Sequence, residues 1–253
     1  MKKIFYTFAV MAFLSACSSV PSSCDNQSCS EDPFEKVNRG VFAFNQILDK
    51  AILKPVSKVY RALTPSGLRS SVGNFFVNLK QPVYAMNSLL QGEPGEAWDM
   101  TKRFGANTFL GFFGFFDPAT KMGIPNSSND FGKTLYTWGV KSSGPYLVLP
   151  ILGSSTPRDA VGIAGTFLMN PVNWALQDDP TLSWSYWGAE IISKRESVLD
   201  LSDSLEESST DFYTTMRSFY LQNRKKELAE TDSDNSSSDM GNTYDFDFPT
   251  DDE

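Results

Sequence analysis

The sequence predicts a mainly α-helical protein that works against a lipid surface, and three observations carry that expectation. Apolar residues recur at three- and four-residue spacing through much of the chain, often behind an Asp-Pro, a Thr-Pro or a lone Pro that marks a helix start. Strand signals are scarce: there is no sustained period-two run and no Asn-Gly or Asp-Gly turn. Three stretches carry no charge at all, Phe104 to Phe116, Ser142 to Thr156 and Ala160 to Gln177. Each is too short or too interrupted to span a bilayer, which takes about 20 apolar residues, so each is interfacial, re-entrant or buried in a core. Trp174, Trp184 and Trp187 follow the third stretch and favour embedding, because Trp prefers the headgroup zone.

The elements follow in order. Lys2-Lys3, the apolar run Ile4 to Leu14 and the small residues Ser15-Ala16 before Cys17 have the layout of an export signal. Leu14-Ser15-Ala16-Cys17 looks like a bacterial lipobox, which would make residues 1–16 a signal peptide and Cys17 a lipidated mature N-terminus. An ordinary secretory signal with a chance Cys is the plainer alternative. Ser18, rather than Asp, follows Cys17 and points to the outer membrane. Residues 17–31 read as a flexible tether. In it Cys24 and Cys29 either close a small disulfide loop, as an oxidising compartment allows, or stand as two free thiols.

Residues 32–229 read as a single helical domain. Asp32-Pro33-Phe34-Glu35 offers an N-cap, Pro at the first helical position and Glu at the third, and Phe34, Val37, Val41, Phe44 and Leu48 form the apolar stripe behind it. Next, Lys50, Lys54, Lys58 and Arg61 share one helical face opposite Ile52, Val56, Val59 and Leu63, with Pro55 expected to kink or restart the helix. Thr64-Pro65 repeats the start signal ahead of Leu68, Val72, Phe75, Phe76 and Leu79, and Pro82 and Pro94 are expected to start two further helices. After Leu182 the chain returns to amphipathic helix through Trp187, Ile191, Lys194 and Val198, then Phe212, Met216 and Phe219.

The formal charge of −8 comes almost wholly from residues 230–253, which hold nine acidic residues and no Lys or Arg. That segment lacks the apolar content to order itself and reads as an acidic disordered tail. The body is about neutral but uneven: residues 36–92 carry eight Lys/Arg against Asp49 alone. On a lipid-anchored protein such a basic front suggests lipid phosphates before nucleic acid, and Lys54, Lys58 and Arg61 are the candidate headgroup-binding residues.

Composition excludes much chemistry. The chain has no His, which removes Ser-His-Asp and Cys-His catalysis and His-ligated zinc, and three Cys cannot build a four-Cys site. Phe131-Gly132-Lys133-Thr134 is close to the end of a phosphate-binding loop, but the Gly that must stand five residues earlier is Ser127. There is no Gly-x-Ser-x-Gly elbow. No catalytic residue, metal or cofactor is expected. Arg158-Asp159 is the charged pair to mark: it reads as a structural pair that caps a helix at Asp159, with a headgroup contact as the alternative.

Phe131-Gly132-x-Thr134-Leu135, Gly139-Val140, Gly144-Pro145-Tyr146, Leu149-Pro150, Gly153 and Arg158-Asp159 form one ordered string. It resembles the signature region of the MlaA (VacJ) family of outer-membrane lipoproteins. Earlier segments agree: Asp32-Pro33-x-Glu35-x-x-Asn38-Arg39, Phe44-Asn45, Leu53-Lys54-Pro55-Val56, Asn74-Phe75, Leu90-Gln91-Gly92, Arg103-Phe104 and Asn107-Thr108. The resemblance runs from about residue 31 to 225 and departs from the family in the Cys-bearing tether and the acidic tail. It implies a ring of amphipathic and interfacial helices around an amphipathic channel, embedded in the inner leaflet of the outer membrane. It further implies work beside a trimeric porin of the OmpC/OmpF type. Mislocalised phospholipids would pass from the outer leaflet to a soluble periplasmic carrier that feeds an inner-membrane ABC transporter. Two other classes compete: a lipid-anchored scaffold or porin-docking protein that moves no lipid, and a periplasmic lipid hydrolase. The uncharged stretches weigh against the scaffold, since exposed apolar surface is a liability without lipid. The missing His and elbow weigh against the hydrolase.

Overall fold

The computed structural model describes residues 32–236, with side chains to 231, and from Phe34 onward they form one unit. The signal segment, Cys17, the Cys24–Cys29 pair and the tail beyond Ser236 lie outside the described residues. Helix α1 (Glu35–Leu48) passes without a break through a π-helical turn (Asp49–Leu53) into α2 (Lys54–Leu63). Then come α3 (Ser66–Gln91), α4 (Pro94–Phe109), α5 (Pro118–Lys121) and α6 (Phe131–Thr137). A hairpin of β1 (Leu147–Leu149) and β2 (Gly153–Ser155) follows, then α7 (Pro157–Met169), α8 (Pro171–Ala175), α9 (Pro180–Ser197), α10 (Leu199–Ser208) and α11 (Phe212–Ser236). The architecture is mainly helical, as the periodicity predicts.

Most starts have a local cause. Asp117, Asp130, Thr156, Asn170 and Asp179 each accept a hydrogen bond from an amide in the first turn of α5, α6, α7, α8 and α9, and Pro occupies the first turn of all of these but α6. α3 ends at Gly92, whose φ of 85° is left-handed backbone that Gly adopts without penalty.

Four expectations change on contact with the structure. α1 begins at Glu35 with Phe34 at the cap position and no side-chain cap bond, so the Asp32-Pro33 start is displaced by two residues. Pro55 stands in the first turn of an α-helix that restarts at Lys54, as expected, but no loop intervenes: the π turn just before it carries an extra residue, which relieves the clash between the proline ring and the preceding turn. Pro82 lies inside α3 rather than at a helix start, held there by packing along α4. The uncharged stretch Ser142 to Thr156 folds as an antiparallel hairpin, with Leu147 opposite Ser155 and Leu149 opposite Gly153. Its strands are only three residues each, too short to print a period-two signal. α11 runs on to Ser236, past Ala229.

The interior is unusually polar. Buried apolar residues are few, chiefly Phe76, Val83, Met100, Leu199 and a cluster of Tyr146, Val148 and Tyr213 against α1. Beside them sit hydrogen-bonded polar networks. The Gln91 amide donates to Asn129 at 2.7 Å and to Thr134 at 2.8 Å, and Thr134 donates to Asn87 at 2.9 Å. Arg103, 2% exposed, donates to the Ile124 carbonyl and pairs with Asp117 at 2.8 Å. Such networks favour one arrangement of helices because a half-satisfied version would be costly.

Candidate functional site

Amphipathic helices in a water-soluble protein turn their apolar stripe inward. Here several turn it outward. On α2 the fully buried residue is Ser57, while Val56, Val59 and Leu63, with Ile52 in the π turn before them, are exposed. The segment after α4 shows the same inversion: Phe109 is 86% exposed, and Leu110, Phe112, Phe113 and Phe116 stand beside it in solvent. Ile151 and Leu152 project at the hairpin turn, and Trp174, Leu182 and Trp184 lie exposed around the start of α9. Phe112 and Phe113 also adopt positive φ (52° and 58°), a conformation that bulky residues rarely hold. Aromatic side chains strained outward into water make sense only if something apolar receives them. Among the described residues no helix is long and apolar enough to cross a membrane.

The polar faces of the same helices meet each other. Lys54 pairs with Asp203 at 2.8 Å. Arg61 holds Glu196 at 2.8 Å and Asp200 at 2.6 Å, and also donates to the Glu196 carbonyl. Lys50 pairs with Glu206, and Arg195 returns the interaction to Asp49 at 2.6 Å. Lys58 is exposed beside this ladder and close enough to Asp203 to help Lys54 hold its carboxyl below the usual range. The structure therefore corrects the picture of an open basic face. Of the Lys54, Lys58 and Arg61 set, two are engaged by acidic residues of α9 and α10 that lie 135 or more positions away, beyond the reach of any helical-face pattern.

A cavity of about 490 Å³ opens where α3 passes α9. Arg69, Lys80 and Tyr84 line it from α3, and Glu190, Lys194 and Glu196 from α9, with Gly73, Phe76 and Val77 forming an apolar wall between the charged ends. Lys80 pairs with Glu190, and Arg69 with Glu196 at 3.2 Å. Burial pushes the Tyr84 hydroxyl up to about 12, so it stays a neutral donor. Sequence reading placed Arg69 and Lys80 in a basic front half and Lys194 on an amphipathic run. It missed Glu190, Glu196 and the cavity itself. The available signal was Glu190 and Lys194 at i, i+4, with Ser193 and Ser197 also lining the cavity from α9.

The signature residues gather elsewhere, around the hairpin and α11. Asn38 donates to the Tyr146 carbonyl and accepts from the Val148 amide, both at 2.9 Å. Arg39 binds Glu35 at 2.7 Å and Asp211 at 2.6 Å. The Phe131 amide donates to Thr166, and Thr134 lies in the buried amide network. Gly139 and Gly144 take positive φ (106° and 73°) in the turns around Pro145, and Tyr146 shares a hydrogen bond with Ser154. Arg158 and Asp159 are buried together, 3.3 Å apart. The residue that caps α7 is Thr156, whose hydroxyl accepts from the Asp159 amide and donates to the Asp159 carboxylate. Asp159 also accepts from Tyr220 at 2.6 Å and Arg224 at 2.8 Å. Burial alone would raise the Asp130 and Asp159 carboxyls, but hydrogen bonds and charge from Arg224 overcome it and hold both below the usual range. Gly132 has no room for a side chain, since a Cβ there would sit 2.6 Å from Arg224. These residues frame the fold, and the cavity is built by others.

Comparison with known proteins follows the same lines. A family model described as MlaA lipoprotein matches residues 30–227. An uncharacterized protein of Rickettsia felis is 39% identical over 74% of each chain. The intermembrane phospholipid transport system lipoprotein MlaA of Escherichia coli K12 is 36% identical over 79% of this chain and 80% of its own length, and that of Haemophilus influenzae is 33% identical. A solved structure described as the structural basis for maintenance of bacterial outer membrane lipid asymmetry superposes with a TM-score of 0.67 at 34% identity, covering 78% of this chain and 99% of that one.

Proposed function

The chain belongs to the MlaA lipoprotein family, and from that premise we propose that it carries phospholipid between the membranes of the envelope and so maintains the lipid asymmetry of the outer membrane. The observation that carries the reading is the inverted distribution of polarity: apolar residues face out from α2, the turn after α4 and the hairpin, while charged and amide side chains fill the interior. Acyl chains solvate the first surface, and the polar interior gives a headgroup a path it can follow without being stripped of partners.

The finer scheme belongs to the same proposal. The protein is anchored through Cys17 and sits in the inner leaflet of the outer membrane, beside a trimeric porin of the OmpC/OmpF type. It removes phospholipids mislocalised in the outer leaflet and passes them through an amphipathic channel to a soluble periplasmic carrier, which feeds an inner-membrane ABC transporter. It is a conduit rather than an enzyme: energy enters at the transporter. The test is the phospholipid content of the outer leaflet in cells with and without the gene. Accumulation on deletion supports transport. An unchanged outer leaflet with altered envelope mechanics would replace this reading with a scaffold.

A further inference from the structure

We propose that the cavity between α3 and α9 seats the phosphodiester of a glycerophospholipid, and that Lys194 is the cation that meets it. The inference rests on the lipid-transport reading and adds the chemistry by which the chain selects its cargo.

The charges around the cavity do not cancel. Three cations line it, Arg69, Lys80 and Lys194, against two carboxylates, Glu190 and Glu196. Lys80 is held by Glu190. Arg69 is held by Glu196 and by the carbonyls of Arg61 and Thr64, at 2.9 and 3.1 Å. Lys194 is exposed and, among the described residues, has no carboxylate within ion-pair distance. One positive charge is therefore uncompensated, and a phosphodiester carries one negative charge.

The walls extend the match. Ser66 at the start of α3 brings a hydroxyl to the same cavity, and a hydroxyl donates readily to a phosphate oxygen. The Ser70 and Ser197 hydroxyls donate to carbonyls of their own helices, those of Ser66 at 3.1 Å and Lys194 at 2.8 Å, and offer lone pairs only. Phe76 and Val77 supply an apolar wall beside Gly73, whose missing side chain leaves the space open: a Cβ there would meet nothing within 4 Å. A charged seat, one hydroxyl donor and an apolar flank suit the headgroup and glycerol portion of a phospholipid. A volume of about 490 Å³ is the size of a pocket for such a fragment, leaving the acyl chains outside it.

The experiment titrates the full-length protein in nonionic detergent with four probes, read by calorimetry. Two are dioctanoyl-phosphatidylethanolamine and dioctanoyl-phosphatidylglycerol, one is dioctanoylglycerol, which lacks phosphate, and one is deacylated glycerophosphoethanolamine. Both phospholipids are expected to bind, with the other two probes at least tenfold weaker. Lys194→Gln should weaken the phospholipids about fivefold, the factor that corresponds to about 1 kcal/mol per basic residue facing lipid phosphate, and leave dioctanoylglycerol unchanged. Lys194→Arg should retain wild-type affinity. Gly73→Leu fills the cavity from a helix interior where any side chain raises helix propensity, so it should abolish phospholipid binding with the thermal unfolding transition intact. Phospholipid binding that ignores both Lys194→Gln and Gly73→Leu overturns the seat and leaves the transport reading standing. Equal affinity for dioctanoylglycerol does the same. Equal affinity for the deacylated headgroup would make this a soluble-phosphoester site and overturn the lipid assignment. No binding of any phospholipid by the folded wild type would overturn the seat together with the transport reading beneath it.

Discussion

The side-chain amide of Asn38 donates to the carbonyl of Tyr146 across 108 residues of chain, and its oxygen takes the amide of Val148 two residues further on. One buried side chain thus replaces the third strand that this two-stranded hairpin lacks. Asn38→Ala orphans a buried donor and a buried acceptor and should cost about 2–6 kcal/mol, at 1–3 kcal/mol per unsatisfied group. Asn38→Asp keeps the acceptor and loses the donor, so it should fall between wild type and alanine in chemical denaturation. Equal stability of all three proteins would show that the hairpin does not depend on this contact.

Arg224 ties α11 to α6 and α7 through Asp130 at 2.8 Å and Asp159 at 2.8 Å. Arg224→Gln strands the buried Asp159 carboxylate and frees the half-buried Asp130, and should cost about 2–3 kcal/mol at neutral pH, less than a fully buried pair because Asp130 keeps water. The sign with pH follows from the direction of the shifts. Both carboxyls are held below their unfolded value, so their contribution is present above about pH 4 and is lost as pH falls through the folded values. The stability gap between wild type and variant should therefore narrow on acidification. A gap of constant width from pH 7 to pH 3 would contradict the pairing.

Glycine substitutions should split by position. At Gly162 an added Cβ would lie 2.6 Å from the Gly132 amide nitrogen and 2.7 Å from its Cα, backbone atoms that cannot step aside without parting α6 from α7. Gly162→Ala should cost about 1–3 kcal/mol as overpacking. At Gly40, in α1, a Cβ meets nothing, and Gly40→Ala should stabilise by about 0.5–1 kcal/mol. Urea midpoints of the two variants should move in opposite directions.

Phe112 and Phe113 should trade stability against membrane contact. Asn tolerates positive φ far better than Phe, so replacing both with Asn should leave stability in water unchanged or raised. Each ring withheld from lipid should lower vesicle partitioning about tenfold or more, since burying a Phe side chain is worth about 1.5–3 kcal/mol. The check is vesicle sedimentation of protein expressed without residues 1–16, so that no acyl chain masks the difference. Unchanged partitioning would place these rings off the membrane.

Charge reversal separates Arg61 from Lys58. Arg61→Glu sets a third carboxylate against Glu196 and Asp200 and should cost about 2 kcal/mol or more, less than a fully buried pair because Arg61 remains partly wet. Lys58→Glu, on an exposed side chain, should change stability by no more than about 0.5 kcal/mol. Matching thermal shifts for the two would mean that the ladder contributes nothing to packing.

Local signals in the chain mark many helix starts, although they misplaced that of α1 and read one at Pro82, and they stopped where distant partners decide. Asp-Pro, Thr-Pro and Asn-Pro pairs announce α5, α7, α8 and α9 because cap chemistry acts within four residues. The alternation of Lys54 and Arg61 with Val56 and Leu63 correctly divides α2 into two faces. It does not say which face turns inward, since that depends on Glu196, Asp200 and Asp203 far along the chain. The hairpin was hidden for the same reason: Asn38 and Asn45 of α1, more than a hundred positions away, hold its backbone. The cavity needs α3 and α9 side by side, and no pattern within either helix records that meeting.

The π turn at Asp49–Leu53 has a consequence for how this chain can tolerate change in length. One surplus residue advances everything after it by about 100° around the helix axis. α1 and α2 thus form a single screw with a phase step cut into it, and that step brings Lys54 round to Asp203 and Arg61 round to Glu196. Removing Ala51 would leave two intact helices with their bearings wrong by about a quarter turn, enough to carry Lys54 and Arg61 away from Asp203 and Glu196. A deletion of that kind would be silent to helix content and would still misdirect the molecule.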